Sequence, residues 1–135
     1  MMKAPLRLEL RIDWSEIDLF GHINNLAIQR YVQAARIQCM EALGLMQSQA
    51  ETRIGPILAS TNCRFRKPLY YPGTVTVHST IDEIRNTSFK VYYEVHNDSG
   101  EIVAEAQDVI VLFDFGRRAK LVIPDALRKM IEKLK

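Results

Sequence analysis

The residues best suited to chemistry lie in one short stretch, where the carboxylate Asp18 precedes Gly21 and the pair Asn24-Asn25. The glycine predicts a turn, and the asparagines predict the start of a helix. A helix start offers unpaired backbone N–H groups and a partial positive charge. A carboxylate beside such donors can attack a carbonyl, or activate water to attack it, while the N–H groups hold the oxyanion. The stretch therefore predicts a metal-free site for ester or thioester cleavage.

Each residue of this stretch also has a plainer explanation. His22 can act as a base, or its side chain can order the turn by hydrogen bonding. Gly21 either supplies a tight turn or lets a substrate approach the backbone. Asn24 and Asn25 are most simply capping residues, which is compatible with an oxyanion role because that role uses backbone N–H groups. Asp18 itself can be a turn carboxylate without chemistry.

Composition restricts the class of protein. The chain has 135 residues, 47% hydrophobic and 25% charged, which is ordinary for a single globular domain over residues 1–135. The net charge of +2 argues neither for nor against an anionic ligand, and no basic run suggests nucleic-acid binding. No apolar run is long enough to cross a membrane, and residues 1–7 lack the apolar block of a signal peptide. We therefore expect a cytoplasmic protein.

Other kinds of site are not supported by the sequence. Cys39 and Cys63 have no close cysteine or histidine neighbours and fall in apolar segments, so we expect two buried free thiols. His22, His78 and His96 lie far apart, with no carboxylate or cysteine arranged around them. We expect neither a metal nor a cofactor. No serine lies in a nucleophile-elbow motif, and there is no glycine-rich phosphate loop.

Hydrophobic periodicity predicts two helices. The long one runs from Asn24 or Asn25 to about Leu43, where Gly44 ends it, and Gln29, Gln33 and Arg36 fall off its apolar face. That face consists of Ile28, Tyr31, Val32, Ala35, Cys39, Ala42 and Leu43. A short C-terminal helix follows Pro124 to about Lys133, and residues 45–54 are expected to form a connection, with or without a helical turn.

The remaining segments predict antiparallel strands. Alternation indicates strands over residues 6–13, 57–66, 74–84, 87–97 and 101–114. A tight turn at Arg85-Asn86 and a hairpin at residues 97–100 connect the last three. One long helix packed on a large antiparallel sheet is an α+β architecture. The other face of the sheet retains apolar surface, which favours an oligomer.

The motif around Asp18 resembles that of a known family. Asp18 is followed by Leu19-Phe20 and then by Gly21-His22-Ile23-Asn24-Asn25, while Tyr31-Val32-Gln33-Ala34-Ala35-Arg36 lies further along the helix. Later segments also follow the family order: Phe65-Arg66-Lys67-Pro68-Leu69, Pro72-Gly73, Thr87-Ser88-Phe89, residues 100–105 and Ile123-Pro124. The chain is similar over nearly its whole length to the hotdog-fold acyl-CoA thioesterases of the 4-hydroxybenzoyl-CoA thioesterase type.

The resemblance implies a hotdog fold, in which a curved antiparallel sheet wraps a long central helix and two sheets join edge to edge in a dimer. It implies a homodimer or homotetramer with active sites at the subunit interface and acyl-CoA as the substrate. Asp18 would be the nucleophile or the general base, and the backbone N–H of Asn25 the oxyanion donor. Candidate contacts for the CoA phosphates are Arg64, Arg66, Lys67, Arg85, Lys90, Arg117 and Arg118.

Two positions depart from the family pattern. Ile28 stands where the family has tyrosine, and Gln33 stands where it has glutamate. Because Gln33 cannot act as a base, the chemistry rests on Asp18. We expect an apolar acyl pocket that touches Ile28, Tyr31 and Val32.

Other contacts and functions stay open at the level of sequence. We expect Gly21 and His22 to contact the substrate, in addition to the residues of the acyl pocket. Thr61 and Ser88 are further candidate ligand contacts, although strand hydroxyls are common. The departures at Ile28 and Gln33 leave open a non-catalytic acyl-CoA or acyl-carrier binding protein. A hotdog dehydratase or hydratase is a third hypothesis, although the Asp18 loop does not match the dehydratase pattern.

Overall fold

The computed structural model describes residues 4–135, and the prediction about residues 1–7 therefore lies partly outside the described range. In this range the chain forms an α+β fold. The helices are α1 (Asn25–Ala42), α2 (Leu45–Thr52) and α3 (Asp125–Glu132). The strands are β1 (Leu6–Arg11), β2 (Ile54–Phe65), β3 (Thr74–Asp82), β4 (Ser88–His96), β5 (Ile102–Asp114) and β6 (Ala119–Lys120). A short 3-10 turn, Trp14–Glu16, links β1 to the segment before α1.

The strands form one antiparallel sheet in the order β1-β3-β4-β5-β2, with β6 paired to β5. Alternation along β4 places Phe89, Val91, Tyr93 and Val95 on the buried face, as predicted. Helix α1 packs against this face and contacts β1, β2, β3 and β4. A long helix held by a curved antiparallel sheet, with a short C-terminal helix, confirms the predicted hotdog fold.

Four local predictions were inaccurate. Residues 45–54 hold more than a single helical turn, because α2 spans eight residues there; it begins after Gly44, which adopts the left-handed conformation (φ 70°). Ala42 is exposed, whereas Ala27 and Met40 complete the buried face of α1. The link between β3 and β4 spans residues 83–87 rather than a two-residue turn. The register of β2 shifts between Leu58 and Ser60, so its alternation is not continuous.

The two cysteines differ in burial. Cys39 is buried on α1 as predicted, whereas Cys63 on β2 is only half-buried. Both are free thiols. Burial raises the pKa of Cys39 to about 11, and it also raises the pKa of Cys63. Among residues 4–135, no helix has both the length and the apolar character needed to cross a membrane.

Candidate active site

Asp18 lies in a tight turn between the 3-10 turn and α1, formed by residues 18–22 and called here the Asp18 turn. Its Oδ1 accepts hydrogen bonds from the backbone N–H groups of Phe20 (2.8 Å) and His22 (3.4 Å). Its own N–H donates to the His22 carbonyl at 2.8 Å. Oδ2 accepts no hydrogen bond from the described residues. One carboxylate oxygen therefore holds the turn while the other is free.

Gly21 allows the chain to reverse within this turn. Its φ of +82° lies in the left-handed region that side chains rarely adopt, and a Cβ there would meet nothing within 4 Å. Backbone conformation, rather than crowding, is thus the reason for glycine, which agrees with the predicted turn. Leu19 and Phe20 project from the turn and are almost fully exposed.

The start of α1 has the predicted cap. Asn24 Oδ1 accepts from the Ala27 N–H at 2.7 Å, and Asn24 Nδ2 donates to the Glu16 carbonyl at 3.0 Å. The N–H groups of Asn25 and Leu26 donate to no other group in residues 4–135. Two backbone donors at the positive end of an 18-residue helix therefore remain free for a ligand.

A cleft of about 400 Å³ brings the free carboxylate and the helix start together. It is lined by Asp18, His22, Ile23, Asn25 and Ile28 from the Asp18 turn and α1, and by Phe65, Arg66, Lys67, Pro68 and Leu69 from the end of β2. The His22 ring meets the Tyr70 ring edge-on, with the ring centres 5.4 Å apart. Four of the predicted site residues, Asp18, His22, Asn25 and Ile28, thus share one cleft.

Tyr31 and Thr61 lie elsewhere. Tyr31 is buried, and its hydroxyl donates to Glu16 Oε1 at 2.6 Å. It does not line the Asp18 cleft. Burial, together with the Glu16 carboxylate, raises the pKa of Tyr31. Thr61 lines a second cavity of about 380 Å³ between α1 and β2, which it shares with Gln33 and Arg36.

Ser88 lies at the far end of the sheet from Asp18. On strand β5, Ala104 pairs with Phe65, which lines the cleft, and Val111 pairs with Ser88. Seven residues of strand separate these two pairings, a length of about 23 Å at 3.3 Å per residue. A single chain therefore does not bring Ser88 to the Asp18 cleft.

The sequence analysis missed Glu16. Its carboxylate is buried and accepts from the Asp13 N–H (2.9 Å) and from Tyr31, and it contacts Arg30 at 3.4 Å. Its backbone carbonyl accepts from both the N–H and the side chain of Asn24. The spacing of Asp13 and Glu16 matches a capping box, and both reciprocal bonds of that motif are present. That spacing was the signal available in the sequence.

A buried ionic network on the other side of α1 was also missed. Asp108 is fully buried on β5 and accepts from Arg36 at 2.7 and 3.2 Å and from the Tyr93 hydroxyl at 2.7 Å. Burial lowers the pKa of Arg36, but the Asp108 carboxylate outweighs this and holds the pKa above its ordinary value. Arg36 therefore belongs to the inner side of α1, contrary to the prediction. The alternation of β5 already placed a carboxylate at an inward position.

The histidines are not as isolated as their spacing suggested. The rings of His78 and His96, on neighbouring strands, lie 4.3 Å apart, and His96 Nε2 lies 3.0 Å from Glu94 Oε1. The prediction that no carboxylate is arranged around them was therefore wrong for His96. In the described range, no group of three or more His, Cys, Asp or Glu side chains is arranged to hold a metal ion.

Two of the predicted phosphate contacts lie at the cleft. Arg66 and Lys67 line it, and each also forms an exposed ion pair, with Glu105 at 2.9 Å and with Glu101 at 2.5 Å. Exposed pairs of this kind are weak, so both cations can exchange their partner for a ligand anion.

Comparison with known proteins identifies the family of this chain. The pattern of the thioesterase-like superfamily matches residues 12–131. The chain is 26% identical over 130 residues to a 1,4-dihydroxy-2-naphthoyl-CoA hydrolase from Thermosynechococcus vestitus, covering 94% of this chain and 89% of the relative. It is 19% identical over 130 residues to the long-chain acyl-CoA thioesterase FadM of Escherichia coli, covering 96% and 98%.

A solved structure has the same fold as this chain. The structure of a predicted thioesterase from Bacillus stearothermophilus superimposes with a TM-score of 0.85 at 26% identity, covering 95% of this chain and 94% of that one. These relatives do not single out the 4-hydroxybenzoyl-CoA type, which stays a prediction. The chain belongs to the thioesterase-like superfamily, and it is a thioester hydrolase built on the hotdog fold.

Proposed function

We propose that this chain hydrolyses acyl-CoA thioesters to a free acid and CoA, with Asp18 as the reacting carboxylate. The observation that carries the proposal is the unpartnered Oδ2 of Asp18 in the same cleft as Asn25, whose N–H is free at the start of α1. The cleft thus offers a base or nucleophile together with an oxyanion donor, which are the two groups that acyl transfer needs.

Asp18 can act in two ways. As a general base, it takes a proton from water while the water oxygen attacks the thioester carbon, and the C–S bond then breaks to release CoA, which receives the proton. As a nucleophile, its Oδ2 attacks the same carbon and displaces the CoA thiolate, and water then cleaves the resulting anhydride and restores Asp18. In both routes the oxyanion forms beside the Asn25 N–H.

Acyl-CoA is supported as the substrate class by the relatives and by charge. The Thermosynechococcus and Escherichia coli relatives are both named for CoA thioesters. Arg66 and Lys67 supply two exposed cations at the cleft for the CoA phosphates. Ile23, Ile28 and Leu69 form an apolar wall for the acyl group next to Asp18.

A second copy of the chain is part of the proposal. Strand β2 is 12 residues long and pairs with β5 on one edge, while its other edge meets no strand in residues 4–135. A long unpaired edge is a liability that proteins cover, and an edge-to-edge homodimer, alone or within a homotetramer, would cover it. A ligand contact by Ser88 also requires a second copy, because within one chain Ser88 lies far from the cleft.

The direct test is release of free thiol from a panel of short, medium, long and aromatic acyl-CoAs, with binding of the same compounds measured in parallel. The proposal predicts turnover of at least one substrate class. Saturable binding without turnover of any substrate would contradict it. That result would support the alternative of a non-catalytic acyl-CoA or acyl-carrier binding protein, for which Ile28 and Gln33 are the motivating departures.

A further inference from the structure

Apart from the contact of the His22 ring with Tyr70, the Asp18 turn has little packing of its own. Leu19 and Phe20 are almost fully exposed, Gly21 has no side chain, and a Cβ at Gly21 would touch nothing. The turn closes on itself through the bonds between Asp18 and His22, and a bridge between Ile17 and Ile23 closes its base. Its position relative to α1 therefore depends mainly on the residues at its two ends, where the Ile23 N–H also donates to the Leu69 carbonyl at 2.8 Å.

Those ends meet at Glu16, in a set of residues that we call the Glu16 cluster: Asp13, Glu16, Asn24, Arg30 and Tyr31. Glu16 lies two residues before Asp18, and Asn24 lies one residue before Asn25. The backbone carbonyl of Glu16 accepts from the Asn24 N–H at 2.9 Å and from Asn24 Nδ2 at 3.0 Å. The segment that leads into the Asp18 turn is thus bonded directly to the cap of α1.

The carboxylate of Glu16 anchors this junction in the core. Oε1 accepts from the Asp13 N–H at 2.9 Å and from the buried hydroxyl of Tyr31 at 2.6 Å. Tyr31 lies well inside α1, which begins at Asn25. Oε2 lies 3.4 Å from the mostly exposed Arg30. The tyrosine hydroxyl remains protonated over the range of an enzyme assay, because burial raises its pKa. The hydroxyl therefore stays available as a hydrogen-bond donor to Glu16 under those conditions.

We infer that the Glu16 cluster is a positioning device, in which Glu16 and Tyr31 fix the distance between the Asp18 carboxylate and the Asn25 N–H. This assigns Tyr31 to positioning rather than to substrate contact. The inference rests on the proposed function, because it matters for catalysis only if Asp18 and the Asn25 N–H act on the same thioester. Misplacement of a reacting group by about 1 Å costs roughly 100-fold in rate, so such a device has a large effect.

Three variants test the inference by kinetics. Glu16→Ala removes both anchoring bonds, and kcat should fall by roughly 10- to 100-fold while KM changes by less than about threefold. Glu16→Gln keeps an oxygen that accepts from Asp13 and Tyr31, so it should stay within about threefold of the parent. Tyr31→Phe should fall between the two. In an Asp18→Asn background, Glu16→Ala should cause no further loss, because the group being positioned is already absent.

Tyr93→Phe is the matched control for Tyr31→Phe. Each change removes one tyrosine hydroxyl that donates to a buried carboxylate, Asp108 at 2.7 Å or Glu16 at 2.6 Å. The control destabilises the fold at a place remote from the Asp18 turn, so kcat at a temperature where both proteins are folded should stay at the parent value. An equal loss of kcat in both variants would mean that Tyr31 acts through stability alone and would overturn the inference.

A readout that needs no activity separates this inference from the proposed function. Amide hydrogen exchange at Phe20, His22 and Asn24 reports the order of the turn, and Glu16→Ala should accelerate it roughly tenfold while Glu16→Gln does not. If the parent protein turns over no acyl-CoA but the exchange result holds, the proposed function fails and the Glu16 cluster still orders the turn. Unchanged exchange in Glu16→Ala, or a kcat within twofold of the parent, would overturn the inference itself.

Discussion

Removal of the Asp108 carboxylate is the change with the largest expected effect on stability. Asp108 is fully buried and satisfies two donors, the Arg36 guanidinium on α1 and the Tyr93 hydroxyl on β4. Asp108→Ala leaves a mostly buried cation and a buried hydroxyl without partners. Breaking a buried ion pair by removing one partner costs about 3–5 kcal/mol.

Two milder variants calibrate this loss. Tyr93→Phe removes one hydrogen bond to a charged group, for which we expect about 1.5–3 kcal/mol. Asp108→Asn keeps an acceptor oxygen but loses the charge, so its cost should fall below that of Asp108→Ala. All of these values are large against the total of about 5–15 kcal/mol that is typical of a domain.

Urea denaturation followed by circular dichroism measures these free energies of unfolding directly. The order of loss should be Asp108→Ala first, with Asp108→Asn and Tyr93→Phe smaller. A loss of less than about 1 kcal/mol for Asp108→Ala would refute the reasoning. It would mean that the guanidinium and the hydroxyl find water or other partners at no cost, and that the network does not hold α1 on the sheet.

Three further results are expected. Asn24→Ala should lower the free energy of unfolding by about 1 kcal/mol in a denaturant titration, because the cap of α1 is lost, and an unchanged midpoint would contradict the capping role. Cys39 should resist a thiol reagent in the native protein because burial raises its pKa to about 11, whereas half-buried Cys63 should react first; equal rates would contradict this. Burial, and to a lesser degree the neighbouring His96, lower the pKa of His78, so the native state resists protonation of that ring. The stability that His78 contributes should be complete above about pH 6.5 and should fall as the pH drops below it, and His78→Gln should flatten that dependence; an identical pH profile would contradict it.

The fold could be predicted from the sequence because its signals are local. The long helix followed from the Asn24 cap and from apolar residues at a spacing of three and four, and β4 followed from strict alternation around Tyr93. The turn at Gly21 was predicted because glycine readily adopts a positive φ, and Gly21 has a φ of +82°. Local chemistry of this kind depends only on neighbours in the chain.

The features that the sequence analysis missed depend on contacts between residues that are distant in the chain. Arg36 lies at a position that the helical pattern leaves polar, and only the sheet brings Asp108, 72 residues away, to within 2.7 Å of it. Tyr31 fits an apolar face equally well as a pocket residue or as a partner of Glu16, and periodicity cannot distinguish the two. Ser88 matched a family segment, but strand register alone decides how far it lies from Asp18.

The most direct test of the central claim compares Asp18→Asn with Asp114→Asn. Each carboxylate accepts a hydrogen bond from the N–H two residues later, and an amide oxygen can keep that bond, but only Asp18 lines the cleft. On the best substrate of the acyl-CoA panel, kcat/KM of Asp18→Asn should fall by about 100- to 10,000-fold, while Asp114→Asn stays near the parent value. A folded Asp18→Asn protein that retains the parent kcat/KM would contradict the assignment of thioester cleavage to Asp18.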